Sequence, residues 1–317
     1  MALAAYYRSV MQAERVAIVG AGAVGCYFGG MLARAEIAVT LIGRARHVEA
    51  IRREGLFIER KDFQEFVRLE AETEIRAVGR ATIVLLSVKT VDTETAAAAI
   101  APHLQPGALL VSFQNGVDNV ERIRHATGVD AIPAVVYVAV AMSGPGRVQH
   151  SGRGDVILGE LSSGNPRREN LERLVRVFDA AHVPCRISSN IAVELWTKLV
   201  INCAYNAISA VTQKRYGAIK DNSLSRGVVE ELVREVVLVG RASGVALPDA
   251  GQLIESALKL GDAMPNATSS TAQDLARGRP TEIDSLNGYV VRRGNELGIP
   301  TPINGTLHAL VKLLETV

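Results

Sequence analysis

The sequence has little cysteine, few aromatic residues and almost no net charge. Its 317 residues include three cysteines, one tryptophan and 4% aromatic residues, with 35 Lys and Arg against 33 Asp and Glu. Cys26, Cys185 and Cys203 are far apart and have no histidine at ligand spacing, so we expect neither a metal site nor a disulfide framework. We expect all three to be small buried apolar residues. The balanced charge provides no basic surface for nucleic acid.

Long apolar runs are also missing. The longest candidate, residues 132–142, contains Pro133 and is far shorter than the roughly 20 residues of a membrane-spanning helix. It suits a buried strand instead. Residues 1–13 lack a basic leader and a long apolar centre, so we interpret them as a flexible extension rather than a signal peptide. The sequence therefore predicts a protein of a reducing, cytoplasmic compartment with no membrane partner.

A glycine-rich turn near the start is the most informative segment present. Arg15 and the apolar residues 16–19 lead into Gly20-Ala-Gly22-Ala23-Val24-Gly25, a helical stretch follows, and residues 37–42 form a second apolar run. A strand, G-x-G-x-x-G, a helix and a strand within roughly 30 residues predict a dinucleotide site. The first glycine permits the tight turn, the second lets the backbone approach a pyrophosphate, and the third lets helix and strand pack closely. The N–H groups at the helix start then face the phosphates.

The end of the second apolar run indicates which dinucleotide binds. NAD-binding proteins usually have Asp or Glu there, to bond the ribose 2′-hydroxyl. This chain has Gly43-Arg44-Ala-Arg46 instead. Because a guanidinium binds a 2′-phosphate that a carboxylate would repel, we predict NADP(H), with Arg44 as the main contact and Arg46 assisting. The alternative is that both arginines are solvated loop residues.

The predicted elements divide the chain into two domains. Residues 14–188 alternate strands and helices, and the apolar runs at 81–87 and 109–112 are typical of parallel strands buried on both faces. Residues 189–317 have helical periodicity and almost no strand pattern. We predict an α/β chain, with an N-terminal Rossmann-type doubly wound sheet followed by an all-helical C-terminal domain for substrate and catalysis. The other predicted strands are 56–59, 66–69, 135–141, 155–159 and 184–187, and the other predicted helices are 92–101, 117–126, 166–181, 189–212, 223–243, 247–261, 267–277, 282–297 and 303–315.

A polar stripe runs along the predicted helix 189–212. Its members recur every four residues: Glu194, Lys198, Asn202 and Asn206. Asparagine is a poor helix former, so two of them on one face indicate directed hydrogen bonds rather than simple solvation. An ordinary solvated face is the alternative.

Two further clusters are candidates for chemistry. Glu282 and Asp284 lie in Gly278-Arg-Pro-Thr-Glu-Ile-Asp-Ser-Leu-Asn-Gly288, where acids in the first turn of a helix have a complete structural explanation. Asn115 follows the predicted strand 109–112 in Gln114-Asn-Gly, first of all a turn sequence. Lys89 occupies the corresponding place after the strand 81–87, and the carboxyl ends of such strands are where ligands bind.

Together these motifs resemble the ketopantoate reductase family (2-dehydropantoate 2-reductase) from about Val16 to Lys312. The segments that carry the resemblance are Gly20–Gly25, Gln114–Gly116, Glu194–Lys198 with Asn202 and Asn206, Gly278–Gly288 and Gly298–Asn304. The resemblance implies reduction of ketopantoate by NADPH in pantothenate biosynthesis.

The resemblance also implies roles for single residues. Lys198 matches the general acid that protonates the ketone oxygen, and Glu282 matches a glutamate that holds substrate and the catalytic lysine. Asn115 matches an asparagine at the junction of cofactor and substrate. The other matched positions are Lys89 and Arg44 for cofactor binding, and Asn202, Asn206 and Ser270 for substrate binding.

Two alternatives and one open point remain at this stage. The chain could reduce another branched or aromatic 2-keto acid, because apolar pockets discriminate single methyl groups by only ~1–3 kcal/mol. A non-catalytic NADP(H)-binding sensor is the rival from another class, although a sensor needs no proton donor. A homodimer formed through the helical domain is compatible with the sequence, which does not fix the oligomeric state.

Overall fold

The computed structural model describes residues 13–161 and 168–315. Apart from Ala13, the predicted extension over residues 1–13 lies outside this part of the chain. The described residues form two compact units. The first contains the residues up to Gln114 and Asp118–Ile191, and the second contains Asn115–Val117 and the residues from Ala192 onward. The chain leaves the first unit at Ile191, near the predicted boundary at 188.

The first unit is built on a mixed sheet of ten strands. In sheet order they run β4-β3-β9-β8-β7-β6-β1-β2-β5, and β10 pairs with β9. The strands are β1 (Arg15–Val19), β2 (Ala38–Ile42), β3 (Leu56–Glu59), β4 (Gln64–Val67), β5 (Glu70–Glu72), β6 (Ile83–Leu86), β7 (Leu109–Ser112), β8 (Ala131–Gly144), β9 (Arg147–Leu158) and β10 (Cys185–Ile187). From β8 to β5 every pairing is parallel, whereas β8 with β9 and β3 with β4 are antiparallel.

Helices cover both faces of this sheet. They are α1 (Ala23–Arg34), α2 (Ala45–Glu54), α3 (Thr93–Ile100), α4 (Asn119–Thr127) and α5 (Arg168–Ala180). Along β1, Val16 and Ile18 pack in the core that contains residues of α1 and α5, whereas Ala17 and Val19 pack in the core that contains residues of α3 and α4. Because successive strand residues point to opposite faces, one apolar strand supplies both cores. The predicted doubly wound sheet is confirmed.

Several predicted details of this unit are also confirmed. Residues 132–142 lie in β8, buried at 132–136 and partly buried at 137–142. The predicted strands 56–59 and 66–69 correspond to β3 and β4, and the predicted strand 155–159 corresponds to the end of β9. Cys26 is fully buried, but Cys185 is only partly so. The short strand β5, the helix α2 and the 3₁₀ helix Ile75–Arg80 were not predicted. The interpretation of Arg46 as a loop residue is wrong, because it lies in the first turn of α2.

The second unit is helical throughout its described residues. Its helices are α6 (Ile191–Thr212), α7 (Tyr216–Asp221), α8 (Ser223–Ala242), α9 (Ala250–Ala263), α10 (Ser270–Ala276), α11 (Asn287–Leu297) and α12 (Pro302–Leu314). Its core contains Leu199, Cys203 and Tyr205 of α6 and a run of valines in α8. The predicted all-helical domain is confirmed, and α7 was not predicted. In the part of the chain that the structure describes, no helix combines the length and apolarity needed to cross a membrane.

One predicted helix is shorter than expected. The interval 282–297 was predicted as a single helix, but Ile283–Ser285 form a 3₁₀ turn and α11 begins only at Asn287. Leu286 interrupts the helix with φ −110° and ψ −103°. Glu282 and Asp284 are therefore not first-turn acids of an α-helix, and the helix-dipole explanation of both residues is wrong.

Candidate active site

The glycine turn is packed tightly against the loop after β6. Gly20 has φ +112°, and a Cβ there would lie 2.7 Å from the Ser87 carbonyl carbon. A Cβ on Gly25 would overlap the Gly20 carbonyl oxygen and lie 2.6 Å from Ser87 Oγ. Ser87 Oγ also donates to the Gly20 carbonyl at 2.9 Å. Only glycine fits at both positions, so the turn is held closed by contact between two strand ends.

Gly22 borders open space, whereas Gly20 and Gly25 are tightly packed. It is the N-cap of α1, and a Cβ placed there would meet nothing within 4 Å. The open space therefore lies where the backbone N–H groups of Ala23, Val24 and Gly25 begin the helix, with no side chain capping them. Free amides facing open space at a helix N-terminus suit a pyrophosphate. The residues present fit a dinucleotide cofactor.

The end of β2 lies beside the glycine turn. Gly20 and Ala21 N–H both donate to the Ile42 carbonyl, at 2.9 and 3.2 Å. A Cβ on Gly43 would overlap the Cβ of Ala21, so the position directly after β2 has no room for a carboxylate side chain. Arg44, the next residue, is exposed and is the N-cap of α2. An acidic side chain therefore does not fit directly after β2, and the next position holds an arginine instead.

The environment of Arg44 favours an anion. The first turn of α2 contains no acidic residue, and Arg46 within it is also exposed. Glu72, whose carbonyl accepts from the Gly43 N–H at 3.0 Å, has its carboxylate bonded to Arg52. Two exposed guanidinium groups at a helix N-terminus whose first turn has no acidic residue form a positively charged corner.

The loops after β6 and β7 are joined by a buried glutamine. Gln114 is 5% exposed, and its side-chain amide nitrogen, Nε2, donates to Thr93 Oγ1 at 2.7 Å and to the Val88 carbonyl at 3.3 Å. Lys89 follows Val88 directly and precedes the 3₁₀ turn Thr90–Asp92. Gln114 therefore holds the Lys89 loop in place. Its role was not predicted, although it lies within the quoted Gln114–Gly116 motif.

Asn115 and Glu282 meet in the second unit. Asn115 Nδ2 donates to Glu282 Oε2 at 2.9 Å, and both residues are half-buried. Asn115 belongs to the short segment that packs with the helical unit, where Val117 contacts the apolar core. The structure thus joins two of the predicted site residues, which the sequence placed in separate clusters.

The polar stripe on α6 is present and lies beside a buried core. Lys198 and Asn202 are half-buried, and Asn206 is 3% exposed. The neighbouring α6 residues Leu199 and Cys203 are fully buried. A stripe with this degree of burial is not an ordinary solvated face, so that alternative is disfavoured.

The start of α10 is attached to the same helix. Ser269 is 1% exposed, and its Oγ donates to the Asn206 carbonyl at 3.2 Å while its N–H donates to Ser209 Oγ at 3.3 Å. Ser269 also caps α10 by accepting from the Ala272 N–H. Ser270, the predicted substrate residue, is the exposed first residue of α10. Sequence analysis missed Ser269, although a serine before a helix is a capping signal.

The cysteines contribute no reactive thiolate. Burial raises the pKa of Cys26 to about 12 and, together with Asp179, that of Cys185 to about 12. Burial also raises the pKa of Cys203, and Glu235 adds to the effect. All three are thiols at neutral pH. Within residues 13–161 and 168–315, no group of three His, Cys, Asp or Glu side chains is arranged to hold a metal ion.

A cavity of about 220 Å³ in the first unit lies away from these residues. It is lined by Arg15, Ala38 and Thr40 at the amino-terminal side of β1 and β2, together with Arg68 and Arg80. The glycine turn follows the carboxyl end of β1. Since ligands of doubly wound sheets bind outside the carboxyl ends of the strands, this cavity is not the cofactor site.

In a comparison with known proteins, both halves of the chain match the same protein family. Residues 16–163 match the family described as ketopantoate reductase PanE/ApbA, and residues 190–315 match its C-terminal part. The 2-dehydropantoate 2-reductase of Pyrococcus horikoshii is 31% identical over 302 residues, covering 95% of this chain and 98% of that protein.

Solved structures are similar over the same length. A PanE/ApbA family ketopantoate reductase from Ralstonia eutropha JMP134 is 47% identical with a TM-score of 0.88, covering 95% of this chain and 98% of that one. A ternary structure of D-mandelate dehydrogenase with NADH and anilino(oxo)acetate has a TM-score of 0.89 and covers 95% of this chain and 98% of that one. At 24% identity this likeness extends to the fold alone. Because both parts of one family match in order along almost the whole chain, the protein belongs to the ketopantoate reductase PanE/ApbA family.

Proposed function

We propose that the protein reduces 2-dehydropantoate (ketopantoate) to pantoate with NADPH, the reductive step of cytoplasmic pantothenate biosynthesis. Membership of the family makes it an oxidoreductase that uses a nicotinamide cofactor. Relatives such as that of Pyrococcus horikoshii carry the name 2-dehydropantoate 2-reductase. The observation that carries the proposal is the half-buried Lys198 on α6, in line with Asn202 and Asn206.

Lys198 supplies the proton in this proposal. A nicotinamide cofactor held at the glycine turn would supply the hydride for the carbonyl carbon of the substrate. The ketone oxygen then gains negative charge, and an ammonium group beside it both stabilises that charge and transfers a proton to it. The same positive charge attracts the carboxylate of a 2-keto acid. A protein that only sensed NADP(H) would have no use for a proton donor in this position.

Glu282 and the amide side chains orient the substrate. Glu282 accepts from Asn115 at 2.9 Å, so its carboxylate has a defined direction rather than a free rotation. We assign it to the substrate and to Lys198, with Asn115 at the junction of cofactor and substrate. Asn202, Asn206 and Ser270 complete the substrate-binding set. Amides and hydroxyls both donate and accept, which suits a substrate with hydroxyl, ketone and carboxylate groups.

NADP(H) is the cofactor that the strand ends favour. Gly20, Gly22, Ala23, Val24 and Gly25 form the pyrophosphate site, and Lys89 contacts the cofactor from the next loop. The lack of room for a carboxylate at Gly43, together with the exposed Arg44 and Arg46, supports a 2′-phosphate rather than a free 2′-hydroxyl. Arg44 is the main contact, because a guanidinium can bind phosphate through two bonds.

The test is the consumption of reduced cofactor, followed by absorbance, with ketopantoate and with a panel of branched and aromatic 2-keto acids. NADH is run beside NADPH. A preference for ketopantoate and NADPH would support the whole proposal. Faster turnover of another keto acid would retain the mechanism but replace the substrate. Tight NADPH binding without turnover of any keto acid would overturn the proposal in favour of a sensor.

A further inference from the structure

Glu282 lies in a loop that is attached to the last helix of the chain. This Glu282 loop, residues 277–286, connects α10 with α11 and contains no α-helical residue. Thr281 N–H and Thr281 Oγ1 both donate to Glu315 Oε1, at 2.7 and 2.6 Å. Thr281 Oγ1 in turn accepts from the Ile283 N–H at 3.2 Å. Glu315 therefore fixes the backbone on both sides of Glu282.

Asp284 makes a second attachment to the same helix. Its Oδ1 bonds His308 Nε2 at 2.7 Å, and its Oδ2 accepts from Lys312 Nζ at 2.9 Å. Lys312 also pairs with Glu315 Oε2 at 2.6 Å, which joins the two attachments. Burial acts to raise the pKa of Asp284, but the hydrogen bonds from His308 and Lys312 outweigh it and leave that pKa lowered. Asp284 is therefore an ionised anchor at neutral pH.

The helix that provides these contacts is itself fixed at its other end. Glu235 of α8 accepts from the Ile303 N–H at Oε1 and from the Asn304 N–H at Oε2, both at 2.9 Å. A carboxylate that accepts from the first amides of a helix satisfies them and complements its dipole. Side-chain hydrogen bonds therefore hold α12 at both ends, to α8 at its start and to the Glu282 loop at its end.

We propose that Glu315 and Lys312 are positioning residues for Glu282. They bond Thr281, Asp284 and each other, and we assign them no contact with substrate or cofactor. They hold Thr281, directly before Glu282, and Asp284, two residues after it, so that the Glu282 carboxylate meets Asn115 and the substrate in one orientation. The inference rests on the proposed function, since it assigns a further role within the same site. Charge-assisted hydrogen bonds on both sides of Glu282 make this positioning stronger than packing alone.

The experiment compares Glu315→Ala and Lys312→Met with Glu255→Ala. The last variant breaks the exposed Glu255–Lys259 pair of α9 and serves as the control. Small displacements of positioned groups can cost up to about 10²-fold in rate. We expect Glu315→Ala and Lys312→Met each to lower kcat/KM for ketopantoate, Glu315→Ala by about 10-fold to 10²-fold, with an unchanged Kd for NADPH in both. Glu315→Gln, which keeps one acceptor for Thr281, should recover part of the loss. An unchanged kcat/KM in Glu315→Ala would overturn the proposal.

A double-mutant cycle separates positioning from general stability. If Glu315 acts through Glu282, adding Glu315→Ala to Glu282→Gln should change kcat/KM by no more than about twofold. An undiminished loss in that background would show that Glu315 acts elsewhere, and the proposal would fail.

Amide hydrogen exchange tests the attachment without any turnover. Glu315→Ala removes the acceptor of the Thr281 N–H, so this amide should exchange faster, while Glu255→Ala should leave it unchanged. If the wild-type protein reduces no keto acid, the proposed function fails, but this measurement still applies. Faster exchange at Thr281 supports the attachment, and unchanged exchange overturns it.

Discussion

Asn115 Nδ2 donates to Glu282 Oε2 at 2.9 Å, although the two residues lie 167 positions apart in the sequence. Asn115 follows β7, and Glu282 precedes the 3₁₀ turn before α11. A loop at a strand end and a loop between helices are thereby joined through one amide–carboxylate contact. Such a bond to a charged group contributes more than a neutral one.

Removing this amide should impair catalysis more than folding. Asn115→Ala is expected to lower kcat/KM for ketopantoate by about 10-fold to 10²-fold, corresponding to the roughly 1.5–3 kcal/mol of a hydrogen bond to a charged group. Steady-state kinetics and the thermal midpoint are measured together. Asn266→Ala, at an exposed asparagine bonded to Arg215, is the control and should leave both unchanged. Normal kinetics in Asn115→Ala would show that Asn115 is not part of the active site.

Lys198→Ala should abolish most of the turnover. Positioned proton transfer typically contributes ~10²–10⁴-fold, so we expect at least that loss in kcat, with NADPH affinity nearly intact. Single-turnover absorbance gives the rate, and fluorescence titration gives the Kd. Lys259→Ala, at an exposed lysine of α9, controls for the loss of a positive charge. A rate within a few-fold of the wild type would exclude Lys198 as the general acid.

Arg44→Ala should change the preference between the two cofactors. We expect KM for NADPH to rise strongly and KM for NADH to change little, because only NADPH has the 2′-phosphate. Arg44→Asp should enlarge the effect through repulsion. Arg76→Ala provides a comparison at another exposed arginine of the first unit. If KM for NADPH is the same in Arg44→Ala and in the wild type, the 2′-phosphate is bound elsewhere.

Two glycines of one turn should respond differently to the same substitution. Gly25→Ala places a methyl group against the Gly20 carbonyl and Ser87 Oγ, so the first unit should be destabilised along with cofactor binding. Gly22→Ala meets no protein atom within 4 Å and should fold normally. We nevertheless expect it to weaken NADPH binding, because the methyl group enters the space that a pyrophosphate needs. Thermal midpoints and NADPH titrations of both variants would check this, and full NADPH affinity in Gly22→Ala would contradict it.

The first unit should lose stability in acid through Glu14. This carboxylate is 5% exposed and accepts two bonds from Arg173 of α5, both at 2.6 Å. Burial acts to raise the pKa of Glu14, but the bonds from Arg173 and Thr82 leave it below 4.5. Because the folded-state pKa is lowered, the stabilisation is present above about pH 4.5 and is lost as pH falls through the folded-state value.

Glu14→Gln should therefore lower the free energy of unfolding by roughly 1.5–3 kcal/mol at neutral pH and flatten its acid dependence. Urea unfolding over a pH series measures both. The control, Glu172→Gln, breaks the exposed Arg168–Glu172 pair on α5, the helix that carries Arg173. It should lower the free energy of unfolding by less than about 1 kcal/mol. Equal effects of the two substitutions would show that the Glu14–Arg173 contact stabilises the fold no more than an exposed ion pair does.

The sequence predicted the parts of the fold that depend on local pattern. The glycine turn, the apolar parallel strands and the helical second half follow from residue spacing and periodicity. The helix α2 was missed because its many arginines hide a narrow apolar stripe of Val48 and Ile51. The late start of α11 was missed because the preceding residues form a 3₁₀ turn and Thr281 bonds Glu315, a contact between residues 34 positions apart that spacing does not show.

The candidate site was predicted as separate motifs rather than as contacts. Spacing placed Lys198, Asn202 and Asn206 on one face of α6, because helical geometry alone decides that. It could not show that Asn115 bonds Glu282 or that Ser269 attaches α10 to Asn206, since both depend on chain segments that meet only after folding. The residue roles, the homodimer and the cytoplasmic location stay predictions.

The tripeptide Asn115–Val117 has a consequence for dissecting the molecule. It packs with the helical unit, whereas Gln114 before it and Asp118 after it belong to the first unit, so the chain passes between the units at three places. A single cut at Ile191 therefore does not divide the chain into these two units. A fragment that begins after Ile191 would lack Asn115, which donates to Glu282. In a chimera joined at Ile191, the Glu282 carboxylate would face the corresponding loop of another protein. Gene fusion or domain exchange in this protein has to treat the tripeptide as part of the helical half.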